Sequence, residues 1–218
     1  MKKRSFEKGG YYMSGRIITI SREFGSGGRT IGRETAKQLG IPCYDQELIE
    51  KIADESGLNK DFIREKGEYA PHSSMFANSF YYDRSYGGFN VQDLLWQTQR
   101  KVILDLARQG GCVIVGRCAD YILSGKFDLL RVFIYASMEK RAERIVNVYG
   151  ETDEMPTKRL EDKDKRRKAY YRLYTDMEWG EPQHYDICLN AGELGIETCA
   201  HMLTWLYQKG MGGSADEL

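Results

Sequence analysis

The residues best able to do chemistry in this chain of 218 amino acids begin at Ser21. There the run Ser-Arg-Glu-Phe-Gly25-Ser26-Gly27-Gly28-Arg29-Thr30 follows a short β-rich stretch and precedes a helical pattern. Gly25, Gly27 and Gly28 carry no Cβ, so the backbone can turn with positive φ and aim several N–H groups inward. Successive N–H groups at a helix N-terminus form a nest for an anion, and phosphate is the usual guest. Ser26 sits inside the turn, Arg29 adds a full positive charge, and the Thr30 hydroxyl is placed to touch a phosphate or its Mg²⁺. The alternative without a ligand is a plain glycine-rich turn joining strand to helix. A dinucleotide-binding turn also has a claim, because Asp45 lies about the right distance downstream to hold a ribose. Thr30, however, stands where the third glycine of Gly-x-Gly-x-x-Gly belongs, and no lysine follows to complete Gly-x-x-x-x-Gly-Lys-[Ser/Thr].

Other candidates lie further along. Gly116-Arg117 follows the apolar run over 112–115. An arginine at the carboxyl end of a buried strand faces the crevice where ligands bind, and its planar fork suits phosphate oxygens; a salt bridge is the alternative. Asp45 opens a helix and can act as its N-cap. Residues 158–172 carry eight cations, among them Arg159, Lys163, Arg166 and Arg167, against Glu161, Asp162 and Asp164. Pairs at i,i+4 (Glu161–Lys165, Asp162–Arg166, Asp164–Lys168) account for the acids as a solvated face. They leave a surplus of cations, with Arg159, Lys163, Arg166 and Tyr170 on one narrow helical stripe. Such a stripe serves either a nucleic-acid surface or a lid closing on nucleotide phosphates. The polar, aromatic segment over 72–90 is long for a loop; it either folds over a base or packs upon itself.

These residues need a scaffold, and the patterning supplies one. Strands are expected over 17–21, 41–44, 112–115, 130–135 and 186–189. Helices are expected over 30–39 (closed by Gly40), from Asp45 through Leu48, Ile49 and Ile52, and over 91–109, 138–148 (capped by Ser137), 156–174 and 197–207. Strand alternating with helix implies an α/β fold, a parallel sheet covered on both faces. One domain over 16–208 is expected, with an acceptor-binding region near 45–110, a lid near 150–183 and frayed ends at 1–15 and 209–218. Patterned sequence begins only at Arg16, which makes Met13 an alternative start.

Composition narrows the function. Thirty-two basic residues balance thirty-two acidic ones, so no whole-molecule field gathers nucleic acid and any polyanion site is local. No apolar stretch approaches the ~20 residues that span a bilayer. Five cysteines without a Cys-x-x-Cys pair read as reduced thiols of a cytoplasmic protein, and three isolated histidines make no zinc site.

The glycine loop, residues 17–21, Ile41-Pro-Cys-Tyr-Asp-Gln-Glu-Leu-Ile49 and Val115-Gly-Arg-Cys-Ala-Asp120 together resemble the cytidylate kinase-like family, a branch of the P-loop nucleoside monophosphate kinases. The resemblance covers nearly all of 16–207. It implies a P-loop three-layer sandwich on a five-stranded parallel sheet, ATP and Mg²⁺ as ligands, and a nucleoside monophosphate such as CMP as the acceptor. It also implies roles: Gly25–Thr30 on the donor phosphates, Thr30 on Mg²⁺, Asp45 and Arg117 on the acceptor, and Arg141 and Arg144 on the ATP side. Arg159, Lys163, Arg166 and Arg167 become lid cations. Typical loops of the group read Gly-x-Gly-Lys-Gly-Thr; here glycine takes the lysine position and Arg29 follows, either as a displaced cation or paired with an acid. A non-catalytic nucleotide-binding regulator, a kinase for another small metabolite and an NAD-binding oxidoreductase stand as rivals.

Overall fold

Runs such as Ile17-Ile-Thr-Ile20 and Cys-Val-Ile-Val over 112–115 bury every residue, which only a sheet with helices on both faces can satisfy. A computed structural model of the protein has that form. It describes residues 15–70, 91–150 and 155–210; the expectations for the chain ends, for 72–90 and for 151–154 in the lid region lie outside them.

Strands β1 (Ile17–Arg22), β2 (Cys43–Tyr44), β3 (Cys112–Val115), β4 (Leu129–Tyr135) and β5 (Ile187–Asn190) form one sheet in the order β2-β3-β1-β4-β5. All pairings are parallel, and Ile17 lies between Cys112 and Leu129. One face is covered by α1 (Gly28–Leu39) and α9 (Ile196–Lys209), whose Ile31, Ala36, Cys199 and Leu203 pack on Ile18, Ile20, Val113 and Val132. The other is covered by α2 (Gln46–Ser56), α3 (Lys60–Lys66), α4 (Val91–Arg108) and α5 (Ala119–Leu123), through Leu48, Ile63, Ile103 and Ile122. Helices α6 (Met138–Asn147) and α7 (Pro156–Thr175) pack on each other, and α7 reaches the carboxyl end of β1. A one-turn helix, α8 (Ala191–Leu194), links β5 to α9.

The expected helices form with ends shifted by at most two residues, and the Ser137 hydroxyl caps α6 by accepting from the Lys140 N–H at 3.3 Å. Three expectations change. The second strand shrinks to Cys43–Tyr44. Asp45 precedes α2 but its carboxylate makes no capping bond, because Arg29 and Arg33 draw it away. Asp164 turns to Arg141 rather than to Lys168, while Asp162–Arg166 does pair, at 3.9 Å. Helix α3 was not foreseen; Asn59 caps it, accepting from the Asp61 and Phe62 N–H groups.

Candidate active site

The glycine loop turns between β1 and α1 with Gly25 at φ +79° and Gly27 at φ +89°, conformations that an L side chain would strain. Gly27 is the N-cap of α1, and no acid lies in the first helical turn to compete for its positive end. The N–H groups of that turn have no intrahelical acceptor and so remain available to an anion. Ser26 is buried, and its hydroxyl donates to the Glu23 carbonyl at 2.9 Å, which tightens the turn. Thr30 is half-buried in the first turn of α1. Arg29 extends toward the second strand, where its Nε lies 3.3 Å from Asp45 Oδ1; Arg33 Nη2 lies 3.3 Å from the other oxygen of the same buried carboxylate.

Beside the loop is a cavity of ≈ 310 Å³, within the range of small-ligand pockets. Its walls come from Gly25, Ser26, Lys140, Arg144, Gly192 and Gly195. Arg144 lies against the loop itself: a Cβ added to Gly27 would meet the Arg144 Cζ at 3.2 Å. Arg141, one turn earlier on α6, is buried and committed elsewhere. It pairs with Asp164 of α7 and, at 3.4 Å, with Glu23, and it donates to the Phe24 carbonyl at 3.2 Å. Asp164 in turn accepts from the Phe24 N–H at 2.8 Å. Arg141 thus clasps α6, α7 and the start of the glycine loop into one unit.

At the carboxyl ends of β1 and β3 the charges are denser. Gly116, Arg117 and Cys118 take successive positive φ angles of 77°, 57° and 55°. Two consecutive non-glycine residues in that region cost of order 1–3 kcal/mol each, the kind of strain that gathers at functional sites. The turn directs Arg117 inward, where its Nη1 donates to the Ile63 carbonyl at 3.3 Å and to Gln99 Oε1 at 3.0 Å. Arg22, the last residue of β1, grips Glu68 with both terminal nitrogens, the Nη2–Oε2 bond at 3.0 Å. Arg167 of α7 lies 3.6 Å from the same carboxylate and donates to the Arg22 carbonyl and to Tyr69 Oη. All four side chains are at least nine-tenths buried. Two arginines thus pair with one glutamate while Arg117 lines the same small cleft, so three cations there face one carboxylate.

The electrostatics follow. Burial alone would push the Glu68 carboxyl up, but Arg22 and Arg167 outweigh it and hold it far below the usual carboxylate range. Burial lowers the affinity of Arg117 for its proton, with Glu68 opposing. A carboxylate whose folded pKa is depressed stabilises the protein fully above its unfolded pKa of about 4.3 and loses that contribution as pH falls below it. The thermal midpoint of the wild type should therefore fall more steeply between pH 5 and pH 3 than that of Glu68→Gln. Melting curves across that range check this, and equal slopes would contradict it.

Residues Lys163, Arg166 and Arg167 of α7 gather around the Tyr69 ring, with Lys163 Nζ at 4.5 Å and Arg167 Cζ at 5.0 Å from its centroid. Burial first, then its cationic neighbours, lowers the Lys163 pKa, against the pull of Glu65. Arg166 is tied to the Ala70 carbonyl at 2.8 Å and to Glu65. Arg159, half-buried, precedes them by one turn. The helix is therefore not a solvated charged face. It buries Leu160, Arg166, Arg167, Tyr170 and Tyr171 against the strand ends.

Arg117 and Arg167 are marked by sequence pattern, whereas Arg22, Glu68 and Tyr69 are not. Arg22 carries only one signal, a charge that closes an uncharged strand three residues before Gly25. Glu68 and Tyr69 follow a short helix in a stretch with no pattern of its own.

Comparison with known proteins agrees with this architecture. The model of the cytidylate kinase-like family matches residues 17–193. The chain belongs to that family, and its fold is that of the P-loop kinases. Among curated relatives, a protein named cytidylate kinase from Methanothrix thermoacetophila is 25% identical over 177 residues, covering 81% of this chain and 88% of that protein. A solved but uncharacterized protein from Eubacterium ventriosum superposes with a TM-score of 0.67 at 26% identity, covering 89% of this chain and 99% of that one. A shikimate kinase from Acinetobacter baumannii, solved with shikimate, shares the fold with a TM-score of 0.51 at 14% identity, covering 93% and 98%. Among the described residues no helix is long and apolar enough to cross a membrane.

Proposed function

We propose that this protein moves the γ-phosphoryl group of ATP to the phosphate of a nucleoside monophosphate, with CMP the first candidate acceptor. The observation that carries the reading is the cradle of Arg22, Arg117 and Arg167 beside the glycine loop. Its two excess positive charges suit an anionic acceptor. An acceptor oxygen attacks the γ-phosphorus while the bond to the β–γ bridging oxygen breaks and ADP leaves. The acceptor phosphate is already ionised at neutral pH, so no general base is required. Catalysis then rests on positioning and charge neutralisation.

In this reading the donor nucleotide takes the cavity between the glycine loop and α6, where Arg144 meets its phosphates. Gly25, Ser26, Gly27, Gly28 and Arg29 supply the backbone nest. Mg²⁺ is commonly held through one or two protein oxygens plus substrate phosphates, and the Thr30 hydroxyl fits that arrangement. Magnesium would draw charge from the phosphates when bound. Arg117 holds the acceptor phosphate, and Asp45, fixed by Arg29 and Arg33, borders the acceptor side. Arg159, Lys163, Arg166 and Arg167 bring charge from α7. Arg167 is buried and lines two clefts beside the glycine loop, which favours a lid over a nucleic-acid face.

The lysine-free loop, with Arg29 directed to Asp45, favours one other reading, a regulator that binds nucleotide without turnover. A thermal-shift panel of ATP, NAD and each nucleoside monophosphate, followed by coupled ADP release with Mg²⁺, separates the two. The kinase reading expects stabilisation by ATP and CMP, and ADP release that needs both. Stabilisation by ATP with no ADP released for any acceptor would assign the regulator instead.

A further inference from the structure

Gly28 stands where the typical loop of the group carries its lysine, and the packing around it shows what fills that space. A Cβ on Gly28 would lie 2.6 Å from Arg22 Cβ and 2.9 Å from Arg22 Cγ, with Ile134 Cβ at 3.5 Å behind them. The atoms in the way are the stem of Arg22, fixed by the backbone of β1, and no rotamer change removes a Cβ. A side chain at position 28 and the arginine at 22 therefore exclude each other.

The guanidinium of Arg22 lies where donor and acceptor regions adjoin. Arg22 borders a small cleft with Phe24, Gly25, Gly28, Arg29 and Arg167, and also a second one with Gly116 and Arg117. Gly116 makes room for it, since a Cβ there would strike both the Arg22 guanidinium and Glu68. Both terminal nitrogens bind Glu68, yet the buried Nε has no hydrogen-bond partner among the described residues. A buried N–H left unmatched is a group that a ligand oxygen can satisfy.

We propose that Arg22 is a catalytic residue, supplying from the end of β1 the positive charge on the transferring phosphoryl group that a loop lysine supplies elsewhere in the fold. This rests on the phosphotransferase reading above. Glu68 is its resting counter-ion: it keeps the guanidinium from standing bare in a dry site and releases donors as phosphate oxygens arrive. Arg29, half-exposed and paired with Asp45, is not the displaced lysine.

The test uses the full-length protein with ATP, Mg²⁺ and its best acceptor. Arg22→Gln with Glu68→Gln removes the pair together, so no carboxylate is stranded, and kcat should fall by about 10²–10³, the usual loss of one preorganised transition-state donor. A lysine should then become useful at position 28. Arg22→Gly/Glu68→Gln/Gly28→Lys should recover at least about tenfold in kcat over Arg22→Gly/Glu68→Gln, a rescue that a merely structural Arg22 would not allow. If the double-glutamine variant does not fold, Arg22→Lys keeps the ion pair but shortens its reach, and kcat should still drop at least about tenfold. Wild-type protein without turnover on any acceptor overturns the phosphotransferase reading and this assignment with it. Wild-type turnover combined with a folded Arg22 variant within about threefold of wild-type kcat, or with no rescue by lysine 28, overturns the role of Arg22 alone.

Discussion

Replacing Arg141 by alanine should lower the thermal midpoint by about 6–20 °C, an effect far larger than expected for a surface arginine. Breaking a buried ion pair by removing one partner costs about 3–5 kcal/mol, because the other charge is left uncompensated. Here two carboxylates lose their cation, Glu23 and Asp164, and the Phe24 carbonyl loses a donor. At roughly 2–4 °C per kcal/mol for a protein of this size, the shift follows. The same change should loosen the glycine loop, since Asp164 holds the Phe24 N–H and Arg141 holds its carbonyl. Affinity for ATP should then fall as a consequence of the loosened loop. The double variant Arg141→Ala/Asp164→Ala gives a second check. It should be less destabilised than the sum of the single changes, as double-mutant cycles show for groups that share a partner. A midpoint within 2 °C of wild type for the single variant would mean that the clasp contributes nothing.

That assignment differs from what the sequence implied for Arg141, a contact on the ATP side, and the difference shows where sequence reading stops. Periodicity and strand patterning depend on residues near one another in the chain. They located the sheet, the helices and the glycine turn because the apolar repeats of the fold are local. The partner of a buried charge is set by the crossing of elements, and the relevant separations here are long. Arg141 meets Asp164 on another helix, and Arg22 meets Glu68 forty-six residues away. The expected i,i+4 pair Asp164–Lys168 gave way for that reason: a buried arginine outweighs an exposed lysine as a partner. Asp45 shows the same effect at a helix start. Capping is worth roughly 1 kcal/mol, whereas two arginines from α1 reach its carboxylate from outside the helix.

Parts of the site were legible because they carry a positional rule. An arginine after a buried strand is expected at the ligand crevice of a parallel sheet, and Arg117 lines a small cleft at the carboxyl end of β3. Its strained backbone was not visible beforehand, since no pattern marks two non-glycine residues with positive φ. Arg167 stood out as one of many cations on α7; that it lies buried beside Glu68 depended on how α7 packs.

Arg117→Ala should raise the KM for the acceptor about tenfold to a hundredfold while changing the KM for ATP by no more than about threefold. A charge-assisted contact to phosphate is worth on the order of 1.5–3 kcal/mol, which sets the first range. The second follows from geometry, because Arg117 lies at the end of β3 with Glu68 and Gln99, while the cavity proposed for the donor lies between the glycine loop and α6. The fold should survive, though not unchanged. Arg117 holds no carboxylate within ion-pairing distance among the described residues, so its removal strands no opposite charge. It does free Gln99 Oε1 and the Ile63 carbonyl, both of which accept from its Nη1. The Ile63 carbonyl still accepts from the Gly67 N–H at 2.9 Å, so only Gln99 Oε1 is left without a donor, at a cost of about 1–3 kcal/mol, less than the loss of Arg141. Arg117→Lys sharpens the test. A lysine retains the charge but not the fork, so the acceptor KM should recover only in part, and the Gln99 contact should weaken. Steady-state kinetics with both substrates varied, alongside melting curves for each variant, reads both effects. Equal rises in the two KM values would show that Arg117 shapes the whole site, and an unchanged acceptor KM would remove it from the acceptor cradle.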